Sequence, residues 1–216
     1  MAGKTFITVI VSLLVTAVCG SANTAEVLEQ VRKRYADQGF TSRFSQTSVL
    51  KAMDITDTAT GALMVSPPGS MRWLYEAPDP QLIVTNGETL WIHRPDENQV
   101  MIGKPPTLFG DGKGAGFLAD ITKLEENFEV SLLDQLADEE SVYLKLIPKK
   151  ENPDLAKVII QIDRATATIQ TIITYNAFED ETRIELKDVQ FGPLDKGLFT
   201  FEPPEGADVV SLDEGS

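Results

Sequence analysis

The chain of 216 residues has one cysteine, Cys19, and one histidine, His93. One histidine without cysteine partners cannot build the usual zinc sites. There is no Gly-x-Ser-x-Gly elbow and no His-Glu-x-x-His helix. The glycines Gly110, Gly112, Gly114 and Gly116 are not followed by Gly-Lys-Ser/Thr, so they do not form a phosphate cradle. Basic charge is scarce as well, 19 Lys+Arg against 33 Asp+Glu for a net charge of -14. Such a surface repels phosphate backbones and anionic lipid, which argues against a nucleic-acid or peripheral-membrane role and fits a diffusing monomer. Long apolar runs are absent too. The longest, Phe6 to Val18 behind Lys4, is too short for a bilayer and has the flanks of a secretory signal. Residues 1–22 are read as that signal, with cleavage expected after Ala22. Cys19 falls in its exit region, where Thr16-Ala17-Val18 matches poorly the Leu-Ala-Gly type of lipid-attachment pattern. The mature chain then has no cysteine, as an exported protein without disulfides would.

What is present is alternation. From Pro67 to Ile102 apolar residues recur at every second position, as Met71, Trp73 and Tyr75, then Leu82 and Val84, then Leu90 and Ile92. Asn86-Gly87 and Arg94-Pro95-Asp96-Glu97-Asn98 supply turns, so the stretch predicts a meander of three or four strands with one greasy face. That face is covered either by the rest of the chain or by a greasy ligand.

Before the meander, Asn23 or Thr24 caps a helix that Gly39 ends, with Leu28, Val31 and Tyr35 on one face. Thr41 to Leu50 reads as a strand bracketed by Phe40 and Phe44 with Gln46 on the same side. It pairs with a strand starting near Gly61, whose Leu63 and Val65 share a face, and residues 51–60 read as a surface loop. From Gly103 to Glu126 the pattern stops, and Leu108-Phe109 and Phe117-Leu118 flank the glycines as short helical turns of a movable lid. Strands resume at Phe128–Leu133, Val142–Ile147, Val158–Ile162, Thr168–Tyr175 and Thr182–Phe191. The acidic tail from Ser211 on is expected to be disordered.

The fold expected is mainly β with short helices (α+β): one domain over residues 23–210, an unclosed antiparallel barrel of about eleven strands with a helical lid over an apolar cavity. No catalytic, cofactor or metal residues are expected. His93 reads as a surface residue opposite the Leu90/Ile92 face. The carboxylates Glu125-Glu126, Asp138-Glu139-Glu140 and Glu179-Asp180-Glu181 fall in predicted turns, which does not favour a paired-carboxylate hydrolase.

The spaced residues Phe40-x-x-x-Phe44-x-Gln46, Gly61-x-Leu63, Pro68-Gly69-x-Met71-Arg72-Trp73-x-Tyr75-x-x-Pro78, Asn86-Gly87-x-x-Leu90-Trp91-Ile92-x-x-Pro95-x-x-x-Gln99-Val100, Leu146-Ile147-Pro148-Lys149 and Phe199-Thr200-Phe201-x-Pro203-Pro204-x-Gly206 carry a likeness. In these the chain resembles the periplasmic outer-membrane lipoprotein carrier family, LolA, from its first helix to about Val210. The resemblance implies a periplasmic carrier of acylated lipoprotein cargo. It would be loaded by an inner-membrane lipoprotein-releasing ABC transporter, unloaded to an outer-membrane acceptor, and perform no chemical step. The implied acyl-chain cavity comprises Phe40, Phe44, Leu63, Val65, Met71, Trp73, Tyr75, Leu90 and Ile92, and the lid Leu28, Val31, Leu108, Phe109, Phe117 and Leu118. Taken singly, each of these is equally an ordinary core residue. Family members commonly hold the lid with a basic residue before the proline matching Pro68. Pro67 stands there with no donor, which leaves open a related half-barrel module carrying or sensing another lipid or glycolipid.

Overall fold

The structure, a computed structural model, describes residues 23–105 and 116–212. The proposed signal with Cys19, and the expected lid residues Leu108 and Phe109, lie outside those residues.

Asn23 caps helix α1 (Thr24–Tyr35) through its side chain, which accepts from Ala25 N at 3.1 Å. Glu26 in the first turn and Arg32, Lys33 and Arg34 in the last match the helix dipole. Val27, Leu28, Val31 and Tyr35 form its buried stripe. The helix ends at Ala36, not at Gly39. Gly39 instead opens strand β1 (Gly39–Leu50), where a side chain would meet Val65 O at 2.8 Å.

β1 and β2 (Ile55–Ser66) pair along their whole lengths, from Phe40 opposite Val65 to Leu50 opposite Ile55. The loop expected over residues 51–60 is therefore a turn over 51–54. Its threonines belong to the strand, since β-branched residues suit a pleated surface. The meander has four strands: β3 (Ser70–Ala77), β4 (Gln81–Thr85), β5 (Leu90–Arg94) and β6 (Gln99–Gly103). After the lid come β7 (Phe128–Leu132), β8 (Ser141–Pro148), β9 (Lys157–Asp163), β10 (Ile169–Tyr175) and β11 (Glu181–Gly192).

Among the described residues the strands number twelve, in line with the expected about eleven, the last being a short strand β12 (Asp208–Ser211) that lies parallel to β6 at the edge of one sheet. The sheet order is β12-β6-β5-β4-β3-β2-β1-β11-β10-β9-β8-β7. Ser211 is thus paired rather than disordered, and Leu212 N donates to Ile102 O at 2.8 Å.

The segment leading to β12 explains a second difference. Trp73 lies opposite Ile83, and Arg72 opposite Val84. Ile83 therefore shares the greasy face with Trp73, while Leu82 and Val84 point to the outer face with Arg72, Trp91 and His93. They are buried there all the same. Residues 193–207 cross that face: Arg72 Nη1 donates to Leu198 O at 3.0 Å, Phe199 is buried, and Phe201 lies against the His93 ring at 5.2 Å. The alternation within β4 is real, but a strand buried on both sides does not announce which face is which.

Tyr35 pins α1 to the sheet. Its hydroxyl accepts from Ile169 N at 2.8 Å, and its ring meets Phe40 and Phe191 edge-on at 5.3 and 5.0 Å. Burial pushes the Tyr35 phenol up to about 12, with the Ile169 hydrogen bond opposing. Burial does the same at Tyr75, also to about 12. A phenol held protonated in the fold contributes full stability below its ordinary value of 10.0 and loses it as pH rises from there toward 12. Tyr35→Phe keeps the ring but strands the Ile169 N–H, an expected loss of about 1–3 kcal/mol at neutral pH. Urea melts at pH 7 and pH 11 check both points, the variant losing less than wild type between the two.

Candidate functional site: a lidded apolar concavity

The concave face gathers the expected cavity residues. Phe40, Phe44, Leu63, Val65, Met71, Trp73, Tyr75 and Leu90 are buried in one contiguous cluster, and Ile92 packs against it partly buried. Phe44 is its pivot, with Trp73 and Tyr75 each at 5.0 Å edge-on and Trp73 stacked on Tyr75 at 6.3 Å. Gly61 makes room for the Phe44 ring, which sits 2.8 Å from where a Cβ would be.

The same cluster takes in residues the sequence reading did not single out. Ile83 joins from β4, and Leu144, Ile160, Ile172, Ile184 and Leu186 continue the surface across β8 to β11. Their signal was the alternation of the later strands. What was missing was the curvature that turns those strands' apolar side toward the meander's.

Three short pieces follow residue 115 and lie over this face: a 3-10 turn at Gly116–Ala119, another at Ile121–Lys123, and helix α2 (Leu124–Asn127). Glu125-Glu126, expected in a turn, lie on α2. Phe117, Leu118, Ile121 and Leu124 are buried in the cluster beside Leu28 and Val31 of α1. Burial of four such side chains stabilises closure by several kcal/mol, at about 1.5–3 kcal/mol each when complete.

Among the described residues, polar ties to the lid are few. Gly69 N donates to Ala119 O at 2.8 Å. Arg32 of α1 pairs with Glu125, Lys149 Nζ donates to Glu125 O at 2.7 Å, and Lys149 N donates to Asn127 O at 2.9 Å. Each backbone bond is worth about 1 kcal/mol, and the ion pair, on partly exposed side chains, a few tenths. Position 67 offers no donor, so the tie to the lid at this corner comes from the peptide N–H of Gly69. Along the seam between lid and sheet runs a groove of about 470 Å³, bordered by Pro68, Gly69, Phe117, Ala119, Leu124 and Phe128 among others.

Chemically the arrangement offers burial of apolar side chains. His93 faces the opposite side of the sheet with its cross-strand partners Leu82 and Val100. Among the described residues no group of three or more His, Cys, Asp or Glu comes together to hold a metal, and no helix is long and apolar enough to cross a membrane.

Comparison with known proteins agrees with this geometry. A curated protein of Nitrosospira multiformis, named an outer-membrane lipoprotein carrier protein, is 30% identical over 197 residues, which is 91% of this chain and 90% of that one. One of the same name from Nitrosomonas europaea is 29% identical over 172 residues, 79% of this chain and 82% of its own. Among solved structures, an uncharacterized conserved protein from Thermus thermophilus shares the fold with a TM-score of 0.55 at 12% identity, covering 87% of this chain and 98% of that one. Residues 37–202 match the family described as Outer membrane lipoprotein carrier protein LolA, and the chain belongs to that family.

Proposed function

We propose that this protein is a periplasmic carrier that takes the acyl chains of lipoproteins onto its concave face, beneath the lid, and releases them without a chemical step. It receives cargo from an inner-membrane lipoprotein-releasing ABC transporter, delivers it to an outer-membrane acceptor, and works as a monomer. The nine concave-face residues from Phe40 to Ile92 are its acyl-chain surface. The lid includes Leu28, Val31, Phe117 and Leu118, together with Leu108 and Phe109.

One observation carries this reading: a single apolar surface spanning the sheet is covered by a lid whose polar ties, among the described residues, are few. A core needed only for stability gains nothing from a cover held by apolar burial rather than by polar ties. A carrier needs one, because acyl chains must displace Phe117 and Leu118 to reach Met71 and Trp73.

Energetics explain the division of labour. Each methylene buried in a bilayer is worth about 0.8 kcal/mol, so three long chains are held by roughly 30 kcal/mol, beyond what non-covalent protein binding supplies. An energised donor must extract the cargo, and the carrier's grip must stay weak enough to let go.

The test is a transfer assay with vesicles bearing the lipoprotein transporter and a labelled triacylated lipoprotein. The label is expected in the soluble fraction as a one-to-one complex. No release, with a working control carrier and an intact fold, would sink the reading. Pro67 is the observation favouring another lipid cargo, and mass spectrometry of co-purified lipid distinguishes the two.

A further inference from the structure

The concave face is not uniform along its strands. On β1 it runs from Phe40 and Phe44 to Gln46 and Ser48. On β2, by register, it runs from Val65 and Leu63 to Ala59 and Asp57. On β3 and β4, Met71 lies opposite Thr85, Trp73 opposite Ile83, and Tyr75 opposite Gln81. On β11 it passes from Leu186 and Ile184 to Thr182, whose hydroxyl is 3.3 Å from that of Ser48. Neighbouring strands thus turn polar at the same end of the concavity.

Tyr75 stands at the boundary. Its ring packs on Phe44, while its hydroxyl donates to Gln46 Oε1 at 3.0 Å, and Gln46 Nε2 donates to Ser48 Oγ at 3.2 Å. Beyond it opens a groove of about 540 Å³. Its lining among the described residues is mostly amide, hydroxyl and carboxylate, including Gln46, Ser48, Gln81, Asp57 and Asp79 beside Ala59 and Pro78, with no lysine or arginine.

We infer that this polar collar receives the junction between the acyl chains and the polypeptide of the cargo, and that its two carboxylates discriminate against lipids with a phosphate head. This rests on the carrier reading and deepens it. A surface that accepts acyl chains faces a large excess of membrane phospholipid with equivalent chains, so chain burial cannot provide the choice. The head must, and specificity is commonly built by placing a repulsive group against the competitor. Glutamine and hydroxyl groups pair with the ester and amide groups of an acylated N-terminus. Asp57 and Asp79 repel a phosphodiester, and no cation among the described lining residues offsets them.

The experiment uses the mature protein loaded with a neutral apolar dye, N-phenyl-1-naphthylamine. Two competitors with identical octanoyl chains are titrated in: a diacylated cysteinyl peptide amide with an uncharged head, and dioctanoyl phosphatidylglycerol. The lipopeptide is expected to displace the dye at about tenfold lower concentration, equivalent to about 1.4 kcal/mol. In the double variant Asp57→Asn with Asp79→Asn, the phosphatidylglycerol curve is expected to move several-fold toward the lipopeptide's. Raising the salt concentration moves it the same way. Equal potency in the unmodified protein, or a gap that survives the double variant, overturns the collar assignment and leaves the carrier reading standing. Failure of both lipids to displace bound dye overturns both.

Discussion

Met71→Glu is expected to abolish cargo uptake while leaving the protein folded. Met71 is 1% exposed, lies opposite Val65 on one side and Thr85 on the other, and belongs to the cluster that Phe117 and Leu118 cover. A glutamate there would be a buried charge without a partner, at a cost of several kcal/mol. Two responses are open to the protein. If the surrounding sheet gives way, the fold is lost. If the lid gives way, water reaches the carboxylate and the sheet survives, because among the described residues the lid's polar ties are the Gly69–Ala119 bond, the Arg32–Glu125 pair and the two bonds from Lys149 to Glu125 O and Asn127 O. The second costs less.

The variant should therefore melt in one cooperative transition at reduced temperature, show unchanged far-ultraviolet circular dichroism, and transfer about a hundredfold less lipoprotein, the equivalent of about 2.7 kcal/mol. Met71→Leu conserves volume and should transfer normally. A glutamate variant that simply unfolds would falsify the placement of Met71 on a ligand surface and make it an ordinary core residue.

Gly61→Val is expected to have the larger effect on stability. A Cβ at Gly61 would lie 2.0 Å from Leu74 O and 2.8 Å from two atoms of the Phe44 ring. The first contact is with backbone in the adjoining strand, at the register shift where Thr60 faces Ala77 and Gly61 faces Tyr75. Backbone cannot rotate out of the way, so β2 and β3 must separate locally. Phe44 must leave its place between Trp73 and Tyr75 as well. An overpacked core site of this kind loses roughly 3 kcal/mol or more, about 10 °C in melting temperature for a domain of this size. Thermal melts of Gly61→Ala and Gly61→Val check it. Wild-type melting of either would mean that β2 and β3 do not approach as described. Transfer should fall too, since Phe44 is common to the fold and to the proposed surface.

How far such statements could be made beforehand depends on the residue. Met71, Trp73 and Tyr75 were legible as one face because antiparallel strands alternate in and out with a period of two, and the register runs unbroken from Ser70 to Tyr75. Gly61 was legible as part of a spaced pattern but not as a packing necessity, since the atom it accommodates belongs to a strand met later in the chain. Leu82 and Val84 misled for a related reason. Their alternation is genuine, yet Ile83 between them is buried too, and only pairing with Trp73 shows which set faces inward.

The sequence by itself determined the alternating strands, the amphipathic first helix, the interruption where the lid lies, and the family pattern. All of these follow from local spacing and turn chemistry. Tertiary structure alone decided that the Gly69 N–H ties the lid where Pro67 has no donor, that residues 193–207 cover the outer face before β12 joins β6 in parallel, and that Gln46, Ser48, Asp57 and Gln81 line one groove. Each depends on register and curvature between segments far apart in the chain. Those are set by the summed burial of the whole sheet and leave no mark in any single stretch of residues.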